Sequence, residues 1–217
     1  MIKSGKQDTN QYQVVTLPNG LPLLHIHMPQ SNRIAAAVCI AAGHFDDPKE
    51  YPGLTHLTEH MLFQGTETFP SEQFDFSQML AQYGGKANAW TSSEFMTFYY
   101  DAHASTLANT LEQFSQFFIC PEFSLQKLEK EVNAIDAEYK LKVRDELRRL
   151  NEVHKETCNP AHPFSRFSVG NKQTFLTSDL QSLQTALKSH FEQCFTVEKI
   201  KLVIASPFAT EEVANLA

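Results

Sequence analysis

The chain has 217 residues, with 18 Lys and Arg against 25 Asp and Glu, a formal charge of −7. At 42% hydrophobic and 20% charged residues it can bury one sizeable core, and its acidic balance argues against nonspecific nucleic-acid binding. The longest apolar run, Ile34 to Ala42, is strand-sized and far short of the ~18 residues a membrane span needs.

Residues 1–11 are polar and expected to be frayed. They lack the apolar centre of a secretory leader, which predicts a cytoplasmic protein, or a periplasmic one if a leader has been removed. Tyr12 to Leu17 and Leu23 to Met28 flank Pro18-Asn19-Gly20, the signature of a β-hairpin. Arg33 to Ala41 is a run of small apolar residues, predicted as a strand buried on both faces. Gly43 to Pro52 reads as a loop. A helix follows over about Gly53 to Phe63, with Leu54, Leu57, Met61 and Leu62 as its apolar stripe. A second helix over Phe74 to Tyr83 stops at Gly84-Gly85, and Ala87 to Trp90 and Phe95 to Asp101 read as strands.

Ser105 to Phe118 is predicted helical, and Phe114, Phe117, Phe118 and Phe123 belong to its core side. Ser124 is placed to cap one long helix from Leu125 to about Lys155, whose basic stretch Lys140 to Arg149 reads as a solvated face. Thr157 to Thr177 is irregular, pinned by Phe164, Phe167 and Phe175. Asp179 to Phe191 is a helix and Lys199 to Ser206 a strand, and Thr210 is placed to cap a final short helix. Strands and helices alternate without a regular βαβ rhythm, so the fold class is α+β. Cys39, Cys120, Cys158 and Cys194 form no CxxC pair and read as buried, reduced thiols.

The sharpest chemical signal is His56-Leu57-Thr58-Glu59-His60. Residues i and i+4 on a helix share a face about 5–6 Å apart, so both imidazoles can reach one metal ion. Glu59 lies near the same face and can touch a metal-held water; this is the H-x-x-E-H order, the reverse of H-E-x-x-H. A catalytic zinc needs a third protein ligand and an open position. The helix Glu131-Val132-Asn133-Ala134-Ile135-Asp136-Ala137-Glu138 offers three carboxylates, and spacing alone leaves Glu131, Asp136 and Glu138 all in play. His25 and His27 alternate on a strand and read as a solvated pair, His103, His154 and His190 as surface residues, and His162, between two prolines, as structural.

Four segments together carry a resemblance: GLTHLTEHMLFQGT from Gly53 to Thr66, EVNAIDAE from Glu131 to Glu138, Gly84-Gly85 with Asn88-Ala89-Trp90-Thr91-Ser92, and Asn159-Pro160-Ala161-His162-Pro163-Phe164 with Gly170-Asn171. In order and spacing they resemble the insulinase/pitrilysin family of zinc metallopeptidases, the inverzincins. The resemblance implies a largely antiparallel sheet of five or six strands with helices packed on one face. It implies one Zn²⁺ per domain, held by His56, His60 and Glu138, with Glu131 behind the ligands and Glu59 as general base. Asn88, Ala89, Trp90 and Thr91 would lie along the bound peptide. Trp90 departs from the family's usual residue there while keeping an aromatic, and would line the pocket after the scissile bond.

The resemblance also implies an endopeptidase of peptides or small unfolded proteins, closed by a homologous C-terminal half or a partner subunit that supplies an Arg and a Tyr. Residues 12–217 would form the zinc-binding domain, cut within its last helix, and be weakly active or inactive alone. Neither nucleic acid nor membrane is expected as a partner. A noncatalytic scaffold of the same fold is the first alternative, opposed by the intact His56, Glu59, His60 and Glu138. A small-molecule metal-dependent lyase, such as an S-ribosylhomocysteine lyase, is the second, opposed by the EVNAIDAE helix and the NPAHPF segment.

Overall fold

A computed structural model describes residue 5 and residues 7–217; of the stretch expected to be frayed, residues 1–4 and 6 lie outside the described residues. Six strands form one sheet: β1 (Gln11–Thr16), β2 (Pro22–His27), β3 (Arg33–Ile40), β4 (Lys86–Thr91), β5 (Met96–His103) and β6 (Ile200–Ser206). Their order is β1-β2-β6-β3-β5-β4. Every pairing is antiparallel except β2 with β6. This is the α+β arrangement expected from the sequence.

The β1–β2 turn places Asn19-Gly20 where expected, with Gly20 at φ +88° and Thr16 opposite Pro22. The third strand corrects the expectation of two buried faces. Ile34, Ala36, Val38 and Ile40 are buried, whereas Ala35, Ala37 and Cys39 lie half-buried on the opposite face. Period-two alternation wins because helices cover only one side. On that side Val38 sits between Phe98 and Leu202, and Ala36 between Tyr100 and Ile204. The helices complete the core: α1 (Leu54–Leu62), α2 (Phe76–Gln82), α3 (Leu107–Gln116), α4 (Leu125–Lys142), α5 (Glu146–Glu156), α6 (Lys172–Phe175), α7 (Leu180–Cys194) and α8 (Thr210–Leu216). Among the described residues no helix is long and apolar enough to cross a membrane.

The long helix expected over Leu125 to Lys155 is two helices. Ser124 caps α4 as expected, but α4 ends at Lys142 and Asp145 caps α5, accepting the Arg148 N–H at 2.9 Å. An aspartate that satisfies orphan N–H donors competes with helix continuation. The irregular stretch holds the one-turn α6, capped by Asn171. Its aromatics pin it as expected: Phe175 is fully buried, Phe167 meets Tyr139 and Phe164 meets His154. The cap of α8 is Ala209, not Thr210.

Thr210 instead serves a buried histidine. His25, expected in solvent, is buried and bonds Thr210 Oγ1 at 2.8 Å and Ser206 Oγ at 3.0 Å, while the half-buried His27 reaches the Pro207 carbonyl at 3.1 Å. The β2–β6 pairing and α8 close over this end of the strand, which a strand pattern alone does not reveal. His190 is likewise buried rather than at the surface, with Nε2 at 2.9 Å from Thr55 Oγ1. Thr55 donates onward to Asp47 Oδ1 at 2.6 Å, and Asp47 also accepts the backbone N–H groups of Gly53 and Thr55, each at 2.7 Å. This network anchors the start of α1 to α7. His162 is structural as expected, bonding the Phe164 N–H and packing edge-on to Phe45. All four cysteines are free, but only Cys194 is fully buried.

Gly53 opens α1 at φ +92° against Gly170 at φ +78°. A Cβ on Gly53 would lie 2.4 Å from Gly170 Cα, and one on Gly170 would lie 2.1 Å from Phe175 Cζ. Gly170→Ala therefore combines a left-handed penalty with a clash against a fully buried ring, for a loss of ~2–4 kcal/mol. Thermal unfolding checks this; an unchanged midpoint would show that the segment yields freely.

Burial holds His44 and His190 at about 4, below the ordinary 6.5. Between those values the unfolded chain binds protons that the native state refuses. The two histidines thus contribute stability above pH 6.5 and lose it as the pH falls towards 4. Asp47, pushed by burial from 3.8 to about 6, acts in the opposite sense over that range. Two histidines outweigh one aspartate, and burial lowers His25 as well. The unfolding temperature should fall between pH 7 and pH 5, and a flat or rising calorimetric profile would refute this balance.

Candidate metal centre and its cleft

Helix α1 presents two different faces. Leu54, Leu57, Met61 and Leu62 are fully buried, as are Thr55 and Thr58. The opposite face carries His56, Glu59 and His60, all half-buried. Helix α4 packs beside it through buried Leu128, Val132 and Ile135, which brings its carboxylates to the two imidazoles.

The histidine rings lie 4.8 Å apart at 87° to one another. His56 Nδ1 donates to the Val169 carbonyl at 2.7 Å, and His60 Nδ1 donates to Glu131 Oε2 at 2.9 Å. With both Nδ1 protons engaged, both Nε2 atoms keep their lone pairs. Glu138 Oε2 stands 3.7 Å from His60 Nε2. Asp136 turns elsewhere, to Lys140 and the Lys172 N–H, so of the three carboxylates left open by spacing, Glu131 and Glu138 face the histidines.

Donor atoms of His56, His60 and Glu138 all lie within 4.8 Å of one another. Zinc bonds of ~2.0–2.2 Å put donors about 3.5 Å apart, a distance these side chains reach by small rotations. Two bare imidazole nitrogens and one carboxylate, each imidazole held from behind, fit a borderline divalent metal such as zinc. Burial and the neighbouring His60 hold His56 at about 4, which keeps it in the neutral form that ligation requires. Glu59 turns to the sheet instead: its Oε2 accepts the Thr91 hydroxyl of β4, and burial raises its pKa.

These groups line a cleft of about 520 Å³ whose far wall is the edge strand β4, with Asn88, Ala89, Trp90 and Thr91. Trp90 packs on Tyr99 with ring centroids 5.5 Å apart and is 47% exposed. Every residue singled out by the family resemblance thus borders one cleft except Glu131, which stands behind His60. Three contributions go beyond the sequence reading. The Val169 carbonyl reaches His56 across 113 residues, a contact with no local signal. His44, with Nδ1 at 3.1 Å from the Ser92 carbonyl, lies in the loop before α1. Lys142 and Arg148 belong to the stretch expected to be a solvated face, but the α4–α5 break turns both into the cleft wall. Lys142 pairs with Glu138, an i, i+4 contact that the sequence does permit.

The family described as Insulinase (Peptidase family M16) matches residues 23–161. Human insulin-degrading enzyme is 38% identical over 193 residues, covering 87% of this chain and 19% of that protein. The A-factor-processing enzyme of Saccharomyces cerevisiae is 37% identical over 170 residues, 78% of this chain and 16% of that protein. The crystal structure of pitrilysin superposes on the whole chain with a TM-score of 0.91 at 32% identity, using 23% of its own length. The chain therefore spans about a fifth of the length of these relatives. By matched sequence and fold, it belongs to the insulinase family of peptidases.

Proposed function

We propose that the chain is a zinc-dependent endopeptidase domain that hydrolyses peptides or small unfolded proteins. The observation that carries this reading is the pair of Nε2 lone pairs aimed, with Glu138, at one point beside Glu59. In this reading His56, His60 and Glu138 hold Zn²⁺. When bound, the ion lowers the pKa of water at the site and polarises the scissile carbonyl. Glu59, kept on station by Thr91, takes a proton from the attacking water and delivers one to the departing amine. Its raised pKa moves it towards the neutral range in which a carboxylate exchanges protons effectively.

The sheet supplies the peptide-binding surface. Among the described residues strand β4 pairs only with β5, so its other edge is free to accept an extended peptide at Asn88 to Thr91. Backbone pairing at an open edge demands little of the side chains. Glu131 positions His60 through Nδ1, and the Val169 carbonyl does the same for His56. A second, homologous half or a partner subunit would close the cleft from the other side.

Replacing Glu59 by Gln keeps size and the Thr91 contact and removes the base. Zinc should still bind at full stoichiometry by elemental analysis, while hydrolysis falls by ~10²–10⁴. Glu138→Gln removes an anionic ligand, and zinc content should fall together with activity. Glu131→Gln should lie between the two, with a loss of ~10–100-fold in metal affinity or activity. Metal stripped by Glu59→Gln but retained by Glu138→Gln would reverse the two roles and refute the assignment.

A further inference from the structure

Beyond the metal-binding groups, the cleft has a charged wall. Lys142 ends α4, Arg148 stands near the start of α5, and both border the same space as His56, Glu59 and Trp90. Arg148 is exposed, and its guanidinium has no ion-pair partner among the described residues. Two carboxylates reach this space, and neither pairs with Arg148. Glu59 holds the Thr91 hydroxyl, and Glu138 faces His60 with one oxygen and pairs with Lys142 through the other. Of the two cations, Arg148 is thus the one without a carboxylate partner among the described residues.

A second cleft of about 730 Å³ continues beyond the wall between α4, α5 and the 167–169 segment, sharing Lys142, Arg148, Ser168 and Val169 with the first. Its acidic groups do not neutralise Arg148. Asp145 caps the α5 backbone, Glu152 pairs with Lys155, and Glu156 lies at the far end of α5. Its apolar lining includes Tyr139, Val143, Leu147 and Phe167. Arg148 thus borders both clefts, on the side where they adjoin.

We infer that Arg148 selects peptides with an acidic side chain close to the scissile bond, an inference that rests on the peptidase reading above. A carboxylate at that point accepts charge-assisted hydrogen bonds from the guanidinium fork, whereas a basic residue meets a like charge. Arg148 acts on substrate choice and takes no part in proton transfer.

The test uses the 217-residue chain carrying Glu59→Gln and loaded with zinc, so that peptide is not consumed. Three fluorescein-labelled decapeptides differ only in Glu, Gln or Lys at one central position, and anisotropy gives their affinities. The Glu peptide should bind about tenfold tighter than the Gln peptide, with the Lys peptide weakest. Adding Arg148→Glu should invert the order, and Arg148→Lys should preserve its direction. The Glu advantage should shrink as salt rises. Equal affinities, no binding of any peptide, or an order unchanged by Arg148→Glu would overturn the inference. Zinc stoichiometry, measured on the same samples, does not involve Arg148, so a failure of the metal reading shows separately.

Discussion

The geometry of the site depends on a backbone contact between two glycines. Gly53 opens α1 and Gly170 precedes α6, and their main chains touch at a distance that no side chain permits. That contact brings the Val169 carbonyl to His56 Nδ1 and thereby fixes which nitrogen of the ring is bare. It also holds the segment carrying Ser168 against α1. The histidine pair is thus oriented by two partners from distant parts of the chain, a main-chain carbonyl for one ring and Glu131 for the other. Metal-binding imidazoles are commonly held in this way, and here the fold itself sets the tautomers of both rings.

The same α1 end is tied down from a second direction. Asp47 accepts two N–H groups at the helix start while Thr55 passes a hydrogen-bond chain on to His190 of α7. Buried polar networks of this kind are costly if incomplete. Here each member has a partner, and the helix cannot slide along its axis without breaking several bonds together. The buried leucines of α1 resist rotation about that axis. Both constraints act on the face that presents His56, Glu59 and His60.

Much of this is legible in the sequence, for physical reasons that differ by element. The α1 stripe and the H-x-x-E-H spacing are local, so a helical period reads them directly. The hairpin is readable because Asn-Gly selects one turn geometry. The burial of His25 and His190 escapes such a reading because it is set by β6, α8 and α1, elements far away in sequence. The α4–α5 break escapes it because Asp145 is a good cap but also tolerable within a helix, and only the corner shows which role wins. That Glu138 rather than Asp136 faces the histidines cannot be read from spacing. It depends on Lys140 and Lys172 drawing Asp136 away from the histidines.

The position of β6 has a consequence for how the chain reaches this state. The sixth strand in sequence lies between β2 and β3, so among the described residues the β1–β2 hairpin joins the rest of the sheet only through residues 200–206. Until those residues are available, two strand edges stand open in the middle of the sheet, and the pairing that closes them spans most of the chain. Closure of so long a loop is slow, and open edges invite pairing with other chains. The sheet on which α1 rests is therefore closed by the sixth of its strands in sequence, far along the chain from the hairpin it joins.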